Sequence, residues 1–432
     1  MLMHRWRPTR KYGWSSRPAR SAGWSRPADK RYRRRNMSTV LIIPEKNEGR
    51  APLFVAEAGL KSTRVEAVYF VDGWSTDDTF AQLTASAVEL TQHYGKPVAT
   101  LRSEIRETGK GGAMVTGLRR ALQDGFAHIL FLDGDISSVT PQWCDLLADG
   151  LTQHGAAMTR GYFDRSPLDA QITRHITRPL IALYFPEGIE VQQPLGGELG
   201  LTAQLANHLV HGPIAPPHTW GIDTFLTVNA LAGGFPILEI YLTQKTHTKK
   251  ALSELRGMII ECFDEMVKEI YFHGRHHRVP ANARSLVRLL PRDQAPPRIG
   301  EDVRTQRYVD LEAQVANLFA YAHTVPHVTE RLAELGVDNA SRRLILSLLE
   351  ERDFRERSPA LNAQTWIPLL DAVARGYLEK RFASAYHDLI FLVWQLRATA
   401  FALNEATSFE VAEAQTAQQA QYAYAYGEKY RT

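Results

Sequence analysis

Cysteine is almost missing from this chain, with only Cys144 and Cys262 among 432 residues. That excludes a disulfide framework and suits a reducing compartment. There is no CxxC pair and no zinc-type spacing. No run of about 18 apolar residues occurs, which excludes a membrane-spanning helix. A Walker-type GxxxxGK[ST] loop is absent too. Basic excess is missing from most of the chain. Residues 1–36 hold 12 Lys/Arg against one acid, Asp29, so the remaining 396 residues carry 39 bases and 46 acids, net −7. The overall charge of +4 is therefore no argument for nucleic-acid binding by the body of the protein.

The basic segment repeats itself, "GWSSRPA" at 13–19 and "GWSRPA" at 23–28. It reads as a nucleic-acid or membrane-surface arm, as a targeting peptide, or as translated upstream sequence with Met37 as the working start. It lacks the apolar stretch of a secretory signal. Residues 1–36 are therefore expected to be a disordered extension. With 44% hydrophobic and 23% charged residues, the rest is an ordinary globular protein, long enough for two domains.

From Met37 the pattern is α/β. "TVLIIPE" (39–45) is a continuous apolar run, as a strand buried on both faces requires. "RVEAVYFVDG" (64–73) is a second strand, followed by a turn in which Thr76 or Asp77 is expected to cap the helix "TFAQLTASAVELTQHY". "PVATLRSE" (97–104) is a third strand, "GKGGAMVTGLRRALQDG" (109–125) a Gly-rich turn opening a helix, and "HILFLDGD" a fourth strand. Alternation of this kind predicts a mostly parallel sheet with ligands beyond its carboxyl ends. Asp72, Lys110, Asp133 and Asp135 are all expected at that rim. After about residue 255 the spacing becomes helical, broken by the Pro- and Arg-rich stretch 276–302.

Several short stretches carry chemistry. "DGD" (133–135) is either an Asp-Gly turn or a metal–phosphate site. In the second case two carboxylates at a strand end leave positions open for phosphate and water, and Gly134 lets a nucleotide approach closely. Lys110 in "TGKGGA" either reaches a phosphate, aided by helix N-terminal NH groups, or is a solvated lysine at a helix start. Lys46, Asn47 and Glu48 follow the first strand in a polar loop. "QPLGGELGLT" (193–202) sets Glu198 and two glycines between apolar flanks, so the backbone comes close to a strand or a ligand. Trp220 and Asp223 are a sugar-binding pair, or a core Trp with a helix cap. His247 is a further metal ligand or a loop histidine among lysines.

In this order, the pieces resemble GT-A glycosyltransferases that use nucleotide-sugars. "FLDGDISSVTPQW", "YFDRSPLDAQITRHITRP", "QPLGGELGLT", "WGIDT" and "LRGMIIECF" narrow the resemblance to the mannosylglycerate synthases. These are retaining enzymes with a GT-A domain followed by a helical one. The resemblance implies an α/β GT-A (Rossmann-like) domain at 37–270 and a mostly α-helical C-terminal domain at 271–432. It implies transfer of a hexose, mannose favoured, from a nucleoside-diphosphate sugar, GDP-mannose favoured, to D-glycerate. The product would be mannosylglycerate, a compatible solute made in the cytoplasm. The cofactor would be a divalent cation (Mg2+, Mn2+ or Ca2+) on Asp135 and His247.

The same resemblance places Lys46, Glu48 and Lys110 on the diphosphate, Asp72 on the nucleoside, and Asp133 and Gly134 beside the nucleotide. Leu195, Gly196, Gly197 and Trp220 would line the sugar pocket. Arg165, Asp169 and Thr173 would bind the acceptor, Asp169 and Thr173 sharing a face if helical. Asp135, Glu198 and Asp223 are the catalytic candidates. No nucleic-acid partner or membrane span is expected, and self-association is left open. The nearest alternatives are glucosyl-3-phosphoglycerate and glucosylglycerate synthases. More distant ones are a sugar nucleotidyltransferase and a non-catalytic nucleotide-sugar binder.

Overall fold

The structure is a computed structural model that describes residues 38–106, 109–247, 251–281 and 283–432. The basic extension, residues 1–36, lies outside the described residues. The N-terminal half alternates β1 (Thr39–Glu45), α1 (Ala51–Lys61), β2 (Val65–Asp72), α2 (Thr79–Tyr94), β3 (Val98–Arg102), α3 (Lys110–Asp124), β4 (His128–Phe131), α4 (Pro141–Thr152) and β5 (Met158–Asp164). It continues with α5 (Arg178–Tyr184), β6 (Leu199–Thr202), α6 (Ala203–His211), α7 (Ile222–Ala232), β7 (Ile237–Gln244), α8 (Arg256–Phe272) and the short β8 (Val287–Leu289).

The eight strands form one sheet in the order β3-β2-β1-β4-β6-β5-β7-β8. β6 runs antiparallel to β4 and β5, and the other pairings are parallel. This twofold-covered sheet with one reversed strand is the GT-A arrangement expected from the sequence. Alternation along β1 divides the interior: Val40 and Ile42 join the core on one face, Leu41 and Ile43 that on the other.

The first of these cores continues into the C-terminal helices, taking in Leu318, Trp366, Leu389 and Trp394. Those side chains come from the helices Leu311–Ala322, Ala363–Glu379 and His387–Asn404. A buried Arg174 adds polar ties: its Nη1 donates to Thr416 Oγ1 at 2.6 Å and its Nη2 to Glu413 Oε1 at 2.7 Å. Both partners lie on the helix Phe409–Tyr426. The helical half thus covers one face of the sheet.

The cap expected at α2 differs. Asp78 is the N-cap and no side chain caps it. Asp77 instead accepts from Thr79 N at 3.0 Å within the turn, because the loop is already tied to the one after β1.

Candidate active site

The strand ends carry the site in three groups. At the β1–β2 edge, Asp72 closes β2 fully buried. Its Oδ1 accepts from Ser75 N at 3.0 Å, and its Oδ2 lies 3.3 Å from Arg102 Nη1. Lys46 and Glu48 stand exposed in the loop after β1. Asn47, at φ 58°, ties this loop to the next: its N–H donates to Ser75 Oγ at 2.9 Å and its Oδ1 accepts from Thr76 N at 2.7 Å. Glu45, unremarked in the sequence, is buried beside Asp72. Burial first, then the neighbouring Asp72 charge, pushes its carboxyl up to about 8.

The second group is a buried charge cluster. Lys110 Nζ lies 2.8 Å from Asp133 Oδ1 and 3.1 Å from Asp223 Oδ2. Lys245 Nζ lies 2.9 Å from Asp133 Oδ2 and 2.5 Å from Glu198 Oε1. Four of the expected site residues therefore meet, and Lys245 is the member that sequence reasoning missed. Burial alone would raise the Asp133 carboxyl, but the two ammonium groups outweigh it and hold it well below the usual range. Glu198 and Asp223 go the other way: burial raises both, and the lysines only partly offset it.

One expectation is corrected here. The Gly111 and Gly112 amides in the first turn of α3 are not available to a phosphate. Gly111 N donates to Thr219 O at 3.2 Å and Gly112 N to His218 O at 3.0 Å. A Cβ on Gly111 would overlap the backbone of 217–219. The "GKGG" glycines bring α3 against that loop, which aims Lys110 at Asp133.

The loop 192–198 is held from beneath by two buried charges, Arg160 of β5 and Glu239 of β7. Arg160 Nη1 donates to Gly196 O at 2.7 Å and Gln193 O at 3.4 Å, and its Nη2 to Asp223 O at 3.3 Å. Glu239 accepts from Gln192 N at 2.7 Å and Gln193 N at 2.9 Å. Burial pushes the Glu239 carboxyl up to about 7 against those amides. The signal for both was a charged residue inside an apolar strand, "MTRGYFD" and "PILEIYL". Their grip sets Leu195, Gly196 and Gly197 over the cluster. A Cβ on Gly197 would overlap the Asp133 carboxylate. Trp220 is half-buried, its backbone N–H donates to Glu261 Oε2 at 2.9 Å, and Lys110 Nζ lies 6.0 Å from its ring.

The third group lies beyond β5 and β7. Arg165 Nη1 is 3.5 Å from Asp169 Oδ2, and His247 Nε2 is 3.7 Å from the same oxygen. Burial would raise the Asp169 carboxyl, but His247 and Arg165 hold it far below its usual range. Asp169 and Thr173 do not share a helical face, contrary to expectation. Asp169 closes a turn onto Ser166 O at 3.0 Å, Ala170 has φ 58°, and helix begins only at Gln171. Thr173 is buried on a π-helical turn, Thr173–Thr177.

Asp135 and His247 sit on segments laced together by Ser137 N to Thr246 O at 3.0 Å and Thr246 N to Ser138 Oγ at 2.9 Å. Among the described residues, none forms a hydrogen bond or ion pair with the part-exposed Asp135 carboxylate. The described residues also contain no group of three or more Asp, Glu, His or Cys able to hold a metal.

With this geometry in hand, the family model described as mannosylglycerate synthase, GT domain, matches residues 42–268, more than half of the chain. The chain belongs to the mannosylglycerate synthase family. It is 28% identical to the mannosylglycerate synthase of Rhodothermus marinus over 393 residues, 85% of this chain and 89% of that relative. It is 32% identical to the mannosylglycerate synthase of Selaginella moellendorffii over 224 residues, 49% of this chain and 52% of the relative. A glucosyl-3-phosphoglycerate synthase from Mycolicibacterium smegmatis is 28% identical over 252 residues, 54% of this chain and 80% of that one. Membership in the mannosylglycerate synthase family makes this chain a hexosyltransferase. Its matched region contains all three groups of site residues.

Proposed function

We propose that the protein transfers a mannosyl group from GDP-mannose to D-glycerate with retention of α configuration, making the compatible solute mannosylglycerate in the cytoplasm. The observation that carries this reading is the Arg165–Asp169 pair. Arg165 Nε is buried without a hydrogen-bond partner among the described residues. A guanidinium with an unused donor beside a carboxylate matches a small hydroxy acid: Arg165 takes its carboxylate and Asp169 its hydroxyl. The similarity to the Rhodothermus marinus mannosylglycerate synthase over 85% of this chain and 89% of that relative supports the same choice.

On this reading residues 37–270 perform the transfer, and 271–432 form the helical domain packed on them. Asp72 receives the nucleoside, Lys46 and Glu48 the nucleotide's open side, and Gly134 allows its close approach. Lys110 and Lys245 face the diphosphate, with Asp133 fixing both ammoniums. Asp223 and Trp220 orient the sugar, and the Leu195–Gly197 backbone presses toward the anomeric carbon. That carbon's bond to the phosphate oxygen breaks as the bond to the glycerate hydroxyl oxygen forms on the same face. The hydroxyl proton passes to the departing phosphate oxygen. Glu198 holds Lys245 in place, and Thr173 completes the acceptor pocket.

A divalent cation, Mg2+ or Mn2+, fits Asp135 and His247. The Asp135 carboxylate is uncommitted among the described residues, and such ions retain water and phosphate oxygens around one or two protein ligands. When bound, the cation supplies charge stabilisation for the leaving diphosphate.

The test is incubation of the purified protein with Mg2+, D-glycerate or 3-phosphoglycerate, and a panel of GDP- and UDP-sugars, with products identified by mass and NMR. Mannosylglycerate from GDP-mannose is the expected product. Glucosyl-3-phosphoglycerate from a glucose donor would replace this reading with that of the Mycolicibacterium smegmatis relative. No product from any sugar nucleotide would overturn both.

A further inference from the structure

The stretch that interrupts the helical half returns to the active-site rim. Gln244, the last residue of β7, is fully buried. Its side chain spends its bonds on this stretch: Nε2 donates to Ile299 O at 2.5 Å and Glu301 O at 2.8 Å, and Oε1 accepts from Val303 N at 3.4 Å. Asp164, the last residue of β5, is also buried and accepts from Arg298 Nη2 at 2.8 Å. Ser166 Oγ donates to Gln306 O at 2.6 Å. These three anchors have telling neighbours. Asp164 and Ser166 flank Arg165 on both sides, and Gln244 stands three residues before His247.

We propose that residues 298–306 are a strap by which the C-terminal half sets the acceptor end of the site, with Gln244, Asp164 and Arg298 as positioning residues. This rests on the assignment of Arg165 and Asp169 to the acceptor. An amide whose two N–H groups and oxygen are all engaged has no second orientation of equal energy, so the strap fixes the end of β7. The Arg298–Asp164 bond, beside one from the Tyr241 hydroxyl to the same oxygen at 2.8 Å, holds the end of β5. Arg165 and His247 approach Asp169 from these two different strand ends, so their spacing depends on both ties. The donor-side groups Asp72 and Lys110 sit on β2 and α3, which the strap does not hold. Loosening the Arg298–Asp164 tie therefore separates acceptor binding from donor binding, since a misplacement of about 1 Å at a reacting group is costly. Gln244, in contrast, immediately precedes Lys245 and stands three residues before His247, so loosening its tie disturbs both sides.

The test uses the full-length protein in steady-state kinetics with nucleotide-sugar and D-glycerate varied independently. Arg298→Ala is expected to raise the acceptor KM about tenfold, the scale of a lost charge-assisted hydrogen bond, and Gln244→Ala to raise the acceptor and donor KM together. In Arg298→Ala the donor KM and the kcat at saturating acceptor should stay within about threefold, and Arg298→Lys should recover most of the loss. Arg298 is part-exposed, so its variants keep the test open should Gln244→Ala fold poorly. An unchanged acceptor KM in Arg298→Ala, or equal rises in both KM values of that variant, would overturn the proposal. Arg165→Ala reads the underlying assignment separately. If it raises the acceptor KM while the strap variants do not, the acceptor site stands and the strap role falls. If it leaves the acceptor KM unchanged, the assignment itself has failed and the strap proposal falls with it.

Discussion

Lys245 Nζ lies 2.9 Å from Asp133 Oδ2, on the opposite side of that carboxylate from Lys110. The first acid of "DGD" is thereby held between two buried cations, which leaves the second, Asp135, as the one open to a ligand. Lys245 also neutralises Glu198. Replacing it with Met would leave two buried carboxylates short of a counter-ion. Breaking such a pair costs about 3 kcal/mol or more. Chemical denaturation of Lys245→Met should show that loss, and kcat should fall by about two orders of magnitude as transition-state charge loses its partner. A variant as stable and active as the parent would refute the role given to this cluster.

Gly197 has no room for a side chain, because a Cβ would meet the Asp133 carboxylate. Gly197→Ala should push Asp133 off its lysines at a cost of about 1–3 kcal/mol. Turnover should fall with it, whereas Gly95→Ala, at a helix end with open space around it, should leave turnover alone. Thermal melts and initial rates on the two variants separate strain at the site from generic glycine effects.

Asp135 differs from Asp133 in having no protein partner among the described residues. Asp135→Asn should therefore leave the thermal midpoint almost unchanged while removing Mn2+ binding, read by the electron paramagnetic resonance of free Mn2+ with nucleotide present. His247→Ala should weaken the same binding. Retention of Mn2+ at parental affinity in Asp135→Asn would displace the metal from this pair.

Glu45 sets a pH dependence. Its carboxyl is raised from 4.5 to about 8 in the folded protein by burial and by Asp72, so the native state holds a proton that the unfolded chain releases near its ordinary value. Stability from this group is complete below that ordinary value and is lost as pH rises through about 8, at up to about 1.4 kcal/mol per pH unit. Glu45→Gln keeps the shape and removes the titration. Melting midpoints from pH 5 to 9 should fall more steeply for the parent than for Glu45→Gln, and parallel curves would refute the assignment.

Much of the architecture was legible in the chain itself because its signals are local. Continuous apolar runs marked β1, β2 and β4, and the glycine-opened α3 and the helical spacing after residue 255 needed no tertiary information. The stretches that identify the family are also continuous in the chain, from the end of β4 at "FLDGDISSVTPQW" to the start of α8 at "LRGMIIECF". Asp169 shows the limit of that reading: four-residue spacing proposed a shared helical face with Thr173, but the backbone turns at Ala170 first.

What the sequence by itself determined was an α/β sheet with acids and a lysine at its carboxyl rim, and the family to which the rim belongs. Tertiary structure alone decided which charges meet. Lys110, Asp133, Glu198, Asp223 and Lys245 come from five separate segments, and their separation in space depends on the reversed strand β6 and on the loop held by Arg160 and Glu239. A buried ion's partner is chosen by Coulomb energy over a few ångströms, and neighbours at that range here stand up to 113 residues apart along the chain.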